Sequence, residues 1–158
     1  MMRIVIGMGV LLAAPDVRGE SLEMSGTTYP SSCDEAAWEP LAKELRDAAG
    51  KRDPMELESL LQAYLCGSDA RAAAIILRAA PVNVTLTTEG TGEPTTRRRV
   101  QSREVLEPRG GRAWNATVQS DRSDVGVTFF TNEACVRSIT FRPVKAGWRV
   151  RAAGEACD

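Results

Sequence analysis

The chain contains no histidine, and only 5% of its residues are aromatic. Without histidine there is no Ser-His-Asp or Cys-His nucleophile system, no imidazole acid or base, and no mixed Cys/His zinc site. The segment "GTGEPTT" has a G-x-G but neither the third glycine nor a following helix, so it is not a phosphate-binding loop. A pair of carboxylates stays open as a catalytic group, because such acids need to be close only in space. Most acidic residues fall in predicted helix caps, polar helix faces and turns. We therefore expect that the protein is not an enzyme and that it has no catalytic residue, no cofactor and no bound metal.

Long hydrophobic segments are also missing. The apolar run over residues 4–14 follows Arg3 and has 11 residues, whereas a transmembrane helix needs about 20. A basic start, a short apolar core and small residues afterwards are typical of a secretory signal peptide. We therefore predict a signal peptide over residues 1–19, cleaved before Glu20, with Ala14 as a second candidate position and an N-terminal core strand as the alternative. No transmembrane segment is expected.

Cysteine is scarce but even in number, and the four residues are Cys33, Cys66, Cys135 and Cys157. The close C-x-x-C pairs of metal sites do not occur. An even number of cysteines in a short exported chain predicts two disulfides and a periplasmic or secreted location. Arginine outnumbers lysine 17 to 3, which fits the codon bias of a GC-rich bacterial genome.

The hydrophobic period divides the chain into two parts. Residues 20–31 are polar and rich in Ser and Thr, and predict a flexible N-terminal arm. Residues 32–158 predict a single α+β domain, helical over 32–80 and an antiparallel sheet over 82–158. Capping residues and stop signals place the helices at 32–50, at 53–67, and from Ser68 or Asp69 to Pro81.

From Val82 onward apolar residues alternate with polar ones. Short turns link the segments, so we predict an antiparallel meander of five to six strands, one of them through residues 95–106. The fold class is thus a helical hairpin plus a third helix packed on this meander. Trp38, Trp114 and Trp148 lie on apolar stripes and are expected in the core.

This layout predicts the cysteine pairing. Antiparallel neighbouring helices bring Cys33, at the start of the first helix, beside Cys66, at the end of the second. A turn near residues 145–147 places Cys135 opposite Cys157 in the last hairpin. Strict alternation would point Cys157 away from the face of Trp148, so this second bridge needs a bulge or bend, which we expect at Gly154.

Charge is divided unevenly along the chain. Residues 20–81 carry 6 basic and 11 acidic side chains, whereas residues 82–158 carry 12 basic and 9 acidic. In the sheet half, Arg137 has the parity of the apolar face and is expected near a sheet edge or paired with an acid. The candidate partner-binding residues are seven arginines, four on one predicted strand and three pointing outward from the last hairpin: Arg97, Arg98, Arg99, Arg103, Arg142, Arg149 and Arg151.

Two interpretations of these arginines stay open. They form a cationic sheet surface that docks an acidic protein partner, with charge steering the encounter. Alternatively, they keep exposed strands from pairing edge to edge with other chains. Nucleic acid is not an expected partner, because the chain is near neutral and no exposed aromatics interleave with the arginines.

Helices followed by an antiparallel sheet that ends in Gly147-Trp148-Arg149-Val150 resemble the NTF2-like cone fold over residues 33–153. The resemblance implies a Trp-containing last strand and an apolar pocket, although the family usually has a helix after its first strand and none is predicted here. Three functions follow: an exported binding module of the inhibitor or immunity type, a cone that binds a small apolar ligand, and an envelope-associated structural accessory protein.

Overall fold

The structure is a computed structural model that describes residues 28–29 and 33–158. Its helices are α1 (Glu35–Ala49), α2 (Pro54–Cys66), α3 (Ala70–Arg78) and α4 (Ser102–Val105). Its strands are β1 (Thr28–Tyr29), β2 (Asn83–Gly90), β3 (Glu93–Gln101), β4 (Trp114–Asp121), β5 (Asp124–Asn132), β6 (Cys135–Val144) and β7 (Gly147–Cys157). The predicted signal peptide lies outside the described residues, as does the predicted arm apart from β1.

The described strands form a seven-stranded sheet in the order β1-β4-β5-β6-β7-β2-β3. The α+β class, with the main helices preceding the sheet, is confirmed. The prediction of a wholly antiparallel sheet is wrong at one pair, because β2 and β7 run parallel, from Thr85 opposite Ala152 to Gly90 opposite Cys157. The sheet joins the β2–β3 hairpin to the β4–β7 meander at this pair. No tight turn connects these two strands, so the short-link rule does not apply to them.

Local capping explains where the helices begin. The Asp53 side chain accepts a hydrogen bond from the backbone N–H of Glu56, and Pro54 occupies the first helical position of α2. Asp69, rather than Ser68, caps α3 by accepting from the N–H of Ala72 at 2.9 Å. Helix α1 begins at Glu35 after the N-cap residue Asp34, slightly later than predicted.

The helices pack their apolar stripes on one face of the sheet, which we call the inner face. Four large side chains of this core are at most 1% exposed: Tyr64, Phe129, Phe141 and Trp148. The predicted burial of Trp38 and Trp148 is confirmed. The prediction for Trp114 is wrong, because its side chain is 39% exposed and stacks on Phe130 with ring centroids 5.3 Å apart. Trp114 is the first residue of β4 and pairs with Phe130, which alternates with the buried Phe129, so both aromatic rings lie on the side of the sheet away from the helices.

Trp148 ties the sheet to the helical hairpin. Its indole Nε1–H donates to the carbonyl oxygens of Arg52 (2.6 Å) and Asp53 (3.1 Å), in the turn between α1 and α2. Its backbone N–H donates to the Glu56 carboxylate at 3.0 Å. The β6–β7 turn and the α1–α2 turn are therefore held together at one end of the molecule.

The prediction of a strand through residues 95–106 is wrong in its second half. The strand β3 ends at Gln101, and the hydroxyl of Ser102 donates to the carbonyl of Pro81. The chain must next travel from β3, at one edge of the sheet, to β4 near the opposite edge. It does so through α4 and a loop in which the N–H of Arg109 donates to the carbonyl of Tyr64 and that of Gly111 to Leu65.

Both predicted disulfides are confirmed, between Cys33 and Cys66 and between Cys135 and Cys157. The register of β6 and β7 shifts between Thr140 and Phe141, where Arg151 is the extra residue. This bulge brings Cys157 opposite Cys135, so the bulge that the pairing required exists, but at Arg151 instead of Gly154.

Two disulfides are compatible with an extracellular protein. Among the helices of the described segments, none has the length and apolar character that crossing a bilayer requires.

Candidate protein-binding face

The side of the sheet opposite the helices, which we call the outer face, has a floor of small side chains. One row crosses β5, β6, β7 and β2 through Gly126, Thr140, Ala152 and Thr85, and ends at Arg99 on β3. Neighbouring strands lie about 4.8 Å apart, so this row is roughly 19 Å long. The residues of this row before Arg99 have short side chains, and arginines of β3, β6 and β7 lie on the same face.

Arg142 of β6 and Arg151 of β7 meet at one carboxylate on this face. Arg142 donates from Nε to Asp124 Oδ1 at 2.9 Å and from Nη2 to Oδ2 at 3.0 Å, and Arg151 donates from Nη1 to Oδ2. The Asp124 side chain is 9% exposed, whereas those of Arg142 and Arg151 are 49% and 53% exposed. One buried acid therefore positions two exposed guanidinium groups.

The charges at this cluster reinforce one another. Hydrogen bonds from Arg142 and Arg151 lower the pKa of Asp124, because both cations favour its ionised form. The same carboxylate raises the pKa of Arg142. At neutral pH the cluster carries two positive charges and one negative charge, a net charge of +1.

Arg149 completes the group on the central strands. It lies directly opposite Arg142 in the β6–β7 ladder, its side chain is exposed, and its Nη1–H donates to the carbonyl of Trp148 at 2.9 Å. The alternation that buries Trp148 and Val150 on the inner face turns Arg149 and Arg151 to the outer face.

The arginines predicted on one strand are divided by the structure. Arg97 and Arg99 share the outer face, since their register partners on β2 are Thr87 and Thr85. Arg98 lies opposite Leu86 and has the parity of the inner face, although it is exposed because β3 is the edge strand. The prediction that Arg103 belongs to this strand is wrong, because Arg103 lies on α4, where the chain has already left the sheet.

The structure thus gathers five of the seven predicted arginines on the outer face, and this set is called the arginine face below: Arg97, Arg99, Arg142, Arg149 and Arg151. The sequence reasoning did not single out Asp124. The register of the β5–β6 hairpin is the signal that finds it, because Val125 pairs with Phe141 and Asp124 is then beside Arg142.

Arg137 has the inner parity predicted for it and pairs with Glu155 at 2.5 Å, which confirms the expected acidic partner. Arg109, which sequence reasoning did not single out, lies with its guanidinium carbon 5.6 Å from the centre of the Tyr64 ring. Both residues belong to the helix-covered side and lie apart from the arginine face.

A groove of about 620 Å³ lies at the end of the molecule where the β6–β7 turn meets the α1–α2 turn. Its acidic side chains already have partners, since Asp53 caps α2 and Glu56 accepts from the N–H of Trp148. Large buried side chains lie between the helices and the inner face. The apolar pocket implied by the NTF2-like resemblance stays a prediction.

Over residues 28–29 and 33–158, no three Cys, Asp or Glu side chains converge as metal ligands. No protein-family model matches the chain, and no curated protein or solved structure matches it either. The function is therefore inferred from geometry and charge.

Proposed function

We propose that this protein is an exported, non-enzymatic binding module of the inhibitor or immunity type, periplasmic or secreted, whose arginine face docks an acidic protein. The observation that carries the proposal is the grouping of five exposed arginines on a sheet surface that none of the described helices covers, with the central acid buried beneath them. The two disulfides support export, because such bridges persist in oxidising compartments.

The position of the arginines argues against a purely protective role. Charged residues on an edge strand prevent aggregation, and this explanation suffices for Arg97 and Arg99 on β3. It does not suffice for Arg142, Arg149 and Arg151, because β6 and β7 each have a neighbour on both sides. Arg142 and Arg149 pair with each other in the β6–β7 ladder, and beside Arg149 the N–H of Val150 donates to the carbonyl of Ala79, so these cations protect no open edge.

The shape of the surface favours a protein over a small molecule. Small ligands bind in concave sites that bury most of their surface, whereas the arginine face extends about 19 Å across five strands. An interface of standard size covers about 800 Å² on each partner. Arginine is enriched in such interfaces and forms bidentate hydrogen bonds with carboxylates.

Asp124 also lowers the cost of binding. Ordering a long side chain at an interface costs roughly 0.5–1.5 kcal/mol. Arg142 and Arg151 are already held by the Asp124 carboxylate, and each keeps about half of its side chain exposed. A partner carboxylate would therefore meet cations that have lost part of their rotamer freedom before association.

Site-specific photocross-linking tests the proposal. A photoreactive residue is placed at Thr140, in the middle of the outer face, and in a second version at Gln62, an exposed position on α2. Both proteins are irradiated in an extracytoplasmic extract of the source cells at low and at high salt. We expect an acidic protein to be cross-linked from Thr140 and not from Gln62, with a yield that falls as salt rises.

The same adduct from both positions, or an adduct that does not depend on salt, would contradict the proposal. The small-ligand cone and the envelope-associated accessory protein stay predictions, and no contact described above favours them specifically.

A further inference from the structure

The strand β3 is an unusually open edge of the sheet. Among the described strands its one neighbour is β2, and it runs for nine residues, Glu93–Gln101. All of its residues except Val100 are exposed. Proteins usually shorten, cover or charge such edges, because a row of unpaired N–H and C=O groups can pair with another chain. The arginines of β3 supply charge, but among the described elements no second strand covers this nine-residue edge.

The register shows which backbone groups this edge offers. The N–H of Ser102 donates to the carbonyl of Val82, and hydrogen-bonded pairs alternate with non-hydrogen-bonded pairs along an antiparallel ladder. Arg98 and Val100 therefore direct their N–H and C=O groups toward β2. The backbone groups of the alternate residues point away from the sheet, and these residues are Arg97, Arg99 and Gln101.

The side chains of the same segment select the strand that fits there. Arg97 and Arg99 lie on the outer face, and Arg98 has the opposite parity, so an added strand would have cations on both of its faces. Pairing with β3 of a second copy would bring these arginines near the same arginines of the other chain, and like charges directly opposite one another are destabilising. An extended acidic segment meets opposite charges instead.

We propose that the β3 edge receives an extended acidic segment of the partner protein as an additional strand of the sheet, hydrogen-bonded to the backbone of Arg97 and Arg99. This inference rests on the proposed function, because it specifies how the acidic partner engages the protein. It continues the surface already described, since the row of small residues on the outer face ends at Arg99.

The test uses the acetylated and amidated peptide (Thr-Glu)4 as a probe of the intact protein. In solution NMR we expect the peptide to shift the amide signals of β3 and to slow exchange of the Arg97 and Arg99 N–H groups by about tenfold at saturation. A (Thr-Lys)4 peptide should do neither. The (Thr-Glu)4 peptide N-methylated at two adjacent central residues, which blocks both of its edges, should also fail.

A matched pair of variants separates the backbone from the charge. Arg97→Ala and Arg97→Pro both remove the cation, but only proline removes the outward N–H. This position tolerates proline because its N–H makes no bond to β2. We expect Arg97→Ala to weaken peptide binding a few-fold and Arg97→Pro to abolish the protection at Arg99. The amides of Arg98 and Val100 should stay protected in both variants, which reports an intact β2–β3 ladder.

The outcomes of these experiments distinguish strand addition from the proposed function on which it rests. If the acidic peptide shifts the guanidinium signals of Arg142, Arg149 and Arg151 but leaves the Arg97 and Arg99 amides unprotected, strand addition is overturned and the acidic-partner proposal stands. Equal binding by Arg97→Ala and Arg97→Pro, or by the N-methylated peptide, also overturns strand addition. If the peptide produces no change at all, strand addition fails, while the cross-linking from Thr140 still decides the proposed function.

Discussion

Asp124 is the residue on which the arrangement of the central arginines depends. Its carboxylate has 9% exposure and binds both Arg142 and Arg151, so its removal would leave two guanidinium groups without their shared acceptor. Hydrogen bonds to charged groups contribute about 1.5–3 kcal/mol each, less where a partner is exposed. The cluster therefore contributes to folding as well as to the proposed interface.

Replacing Asp124 gives a pH-dependent prediction. The pKa of Asp124 is lowered in the folded state, so its contribution to the free energy of unfolding is present above the unfolded pKa of about 3.9 and is lost as pH falls through the folded pKa. We expect Asp124→Asn to lower the free energy of unfolding by about 1–3 kcal/mol at pH 7 and by clearly less at pH 2. Urea titrations at both pH values measure this difference.

Asp121→Asn is the matched control, because Asp121 is exposed and lies at the start of the turn that ends at Asp124. It should change the free energy of unfolding by less than about 0.5 kcal/mol at either pH. An Asp124→Asn effect of the same size at pH 2 and pH 7 would show that the carboxylate charge is not what stabilises the cluster.

Gly147 is a second residue with a specific requirement. Its φ is +100°, and a Cβ there would lie 2.0 Å from Oε2 of Glu56, the carboxylate that accepts from the N–H of Trp148. Alanine would combine backbone strain of about 1–3 kcal/mol with the loss of this hydrogen bond. We expect Gly147→Ala to lower the free energy of unfolding by about 2–4 kcal/mol, measured by urea titration.

Gly92 supplies the comparison, since its φ is +76° and a Cβ there meets no atom within 4 Å. Gly92→Ala should lower the free energy of unfolding by about 1 kcal/mol, the cost of the backbone conformation alone. Equal losses for the two variants would mean that the Glu56–Trp148 contact adds nothing to stability.

At the scale of elements, the two disulfides link pairs of neighbouring elements that the hydrophobic pattern already predicts to be adjacent. They close segments with sequence separations of 33 and 22 residues. The loop-entropy model gives each bridge about 3–4 kcal/mol, with the longer loop only about 0.4 kcal/mol ahead. A typical domain has about 5–15 kcal/mol in total, so each bridge is a large share.

Removing the bridges one at a time tests this estimate. We expect the double variant Cys33→Ser/Cys66→Ser to lower the free energy of unfolding by about 2–5 kcal/mol, and Cys135→Ser/Cys157→Ser to lower it by a similar amount. Urea titration of the oxidised proteins measures both. A loss under 1 kcal/mol for either variant would show that the remaining contacts hold that pair without its bridge.

Local signals predicted the elements that depend on neighbours in sequence. Asp53-Pro54 and Asp69 marked the starts of α2 and α3, and helix antiparallelism was sufficient to pair Cys33 with Cys66. The features that were missed depend on long-range register. The β2–β7 pair joins strands separated by the whole meander, and α4 lies where the chain leaves β3 at one edge of the sheet to reach β4 near the other.

The candidate site was predictable in the same measure. Alternation along the single strand β7 was sufficient to predict that Arg149 and Arg151 point away from Trp148. Asp124 is part of the site only because of the β5–β6 register. Arg103 is not part of the site, because β3 ends at Gln101. A single sequence does not specify either of these positions.

At the scale of the whole molecule, charge is distributed to favour one orientation of approach. Among the described residues the helical half, 33–81, has 6 basic and 9 acidic side chains, and the sheet half, 82–158, has 12 and 9. An acidic partner would therefore be repelled by one side and attracted by the other, which would raise the association rate of correctly oriented encounters. We expect this association rate to fall steeply with ionic strength.

The decisive measurement is the dissociation constant between the acidic partner identified by cross-linking and two charge-reversal variants of this protein. The two variants have the same net charge. Arg149→Glu changes the middle of the arginine face without touching Asp124, and Arg71→Glu makes the same change on α3. We predict that Arg149→Glu weakens binding by about tenfold or more at low salt, whereas Arg71→Glu stays within about threefold of the unmodified protein. Equal effects of the two variants would contradict the assignment of the outer face as the binding surface.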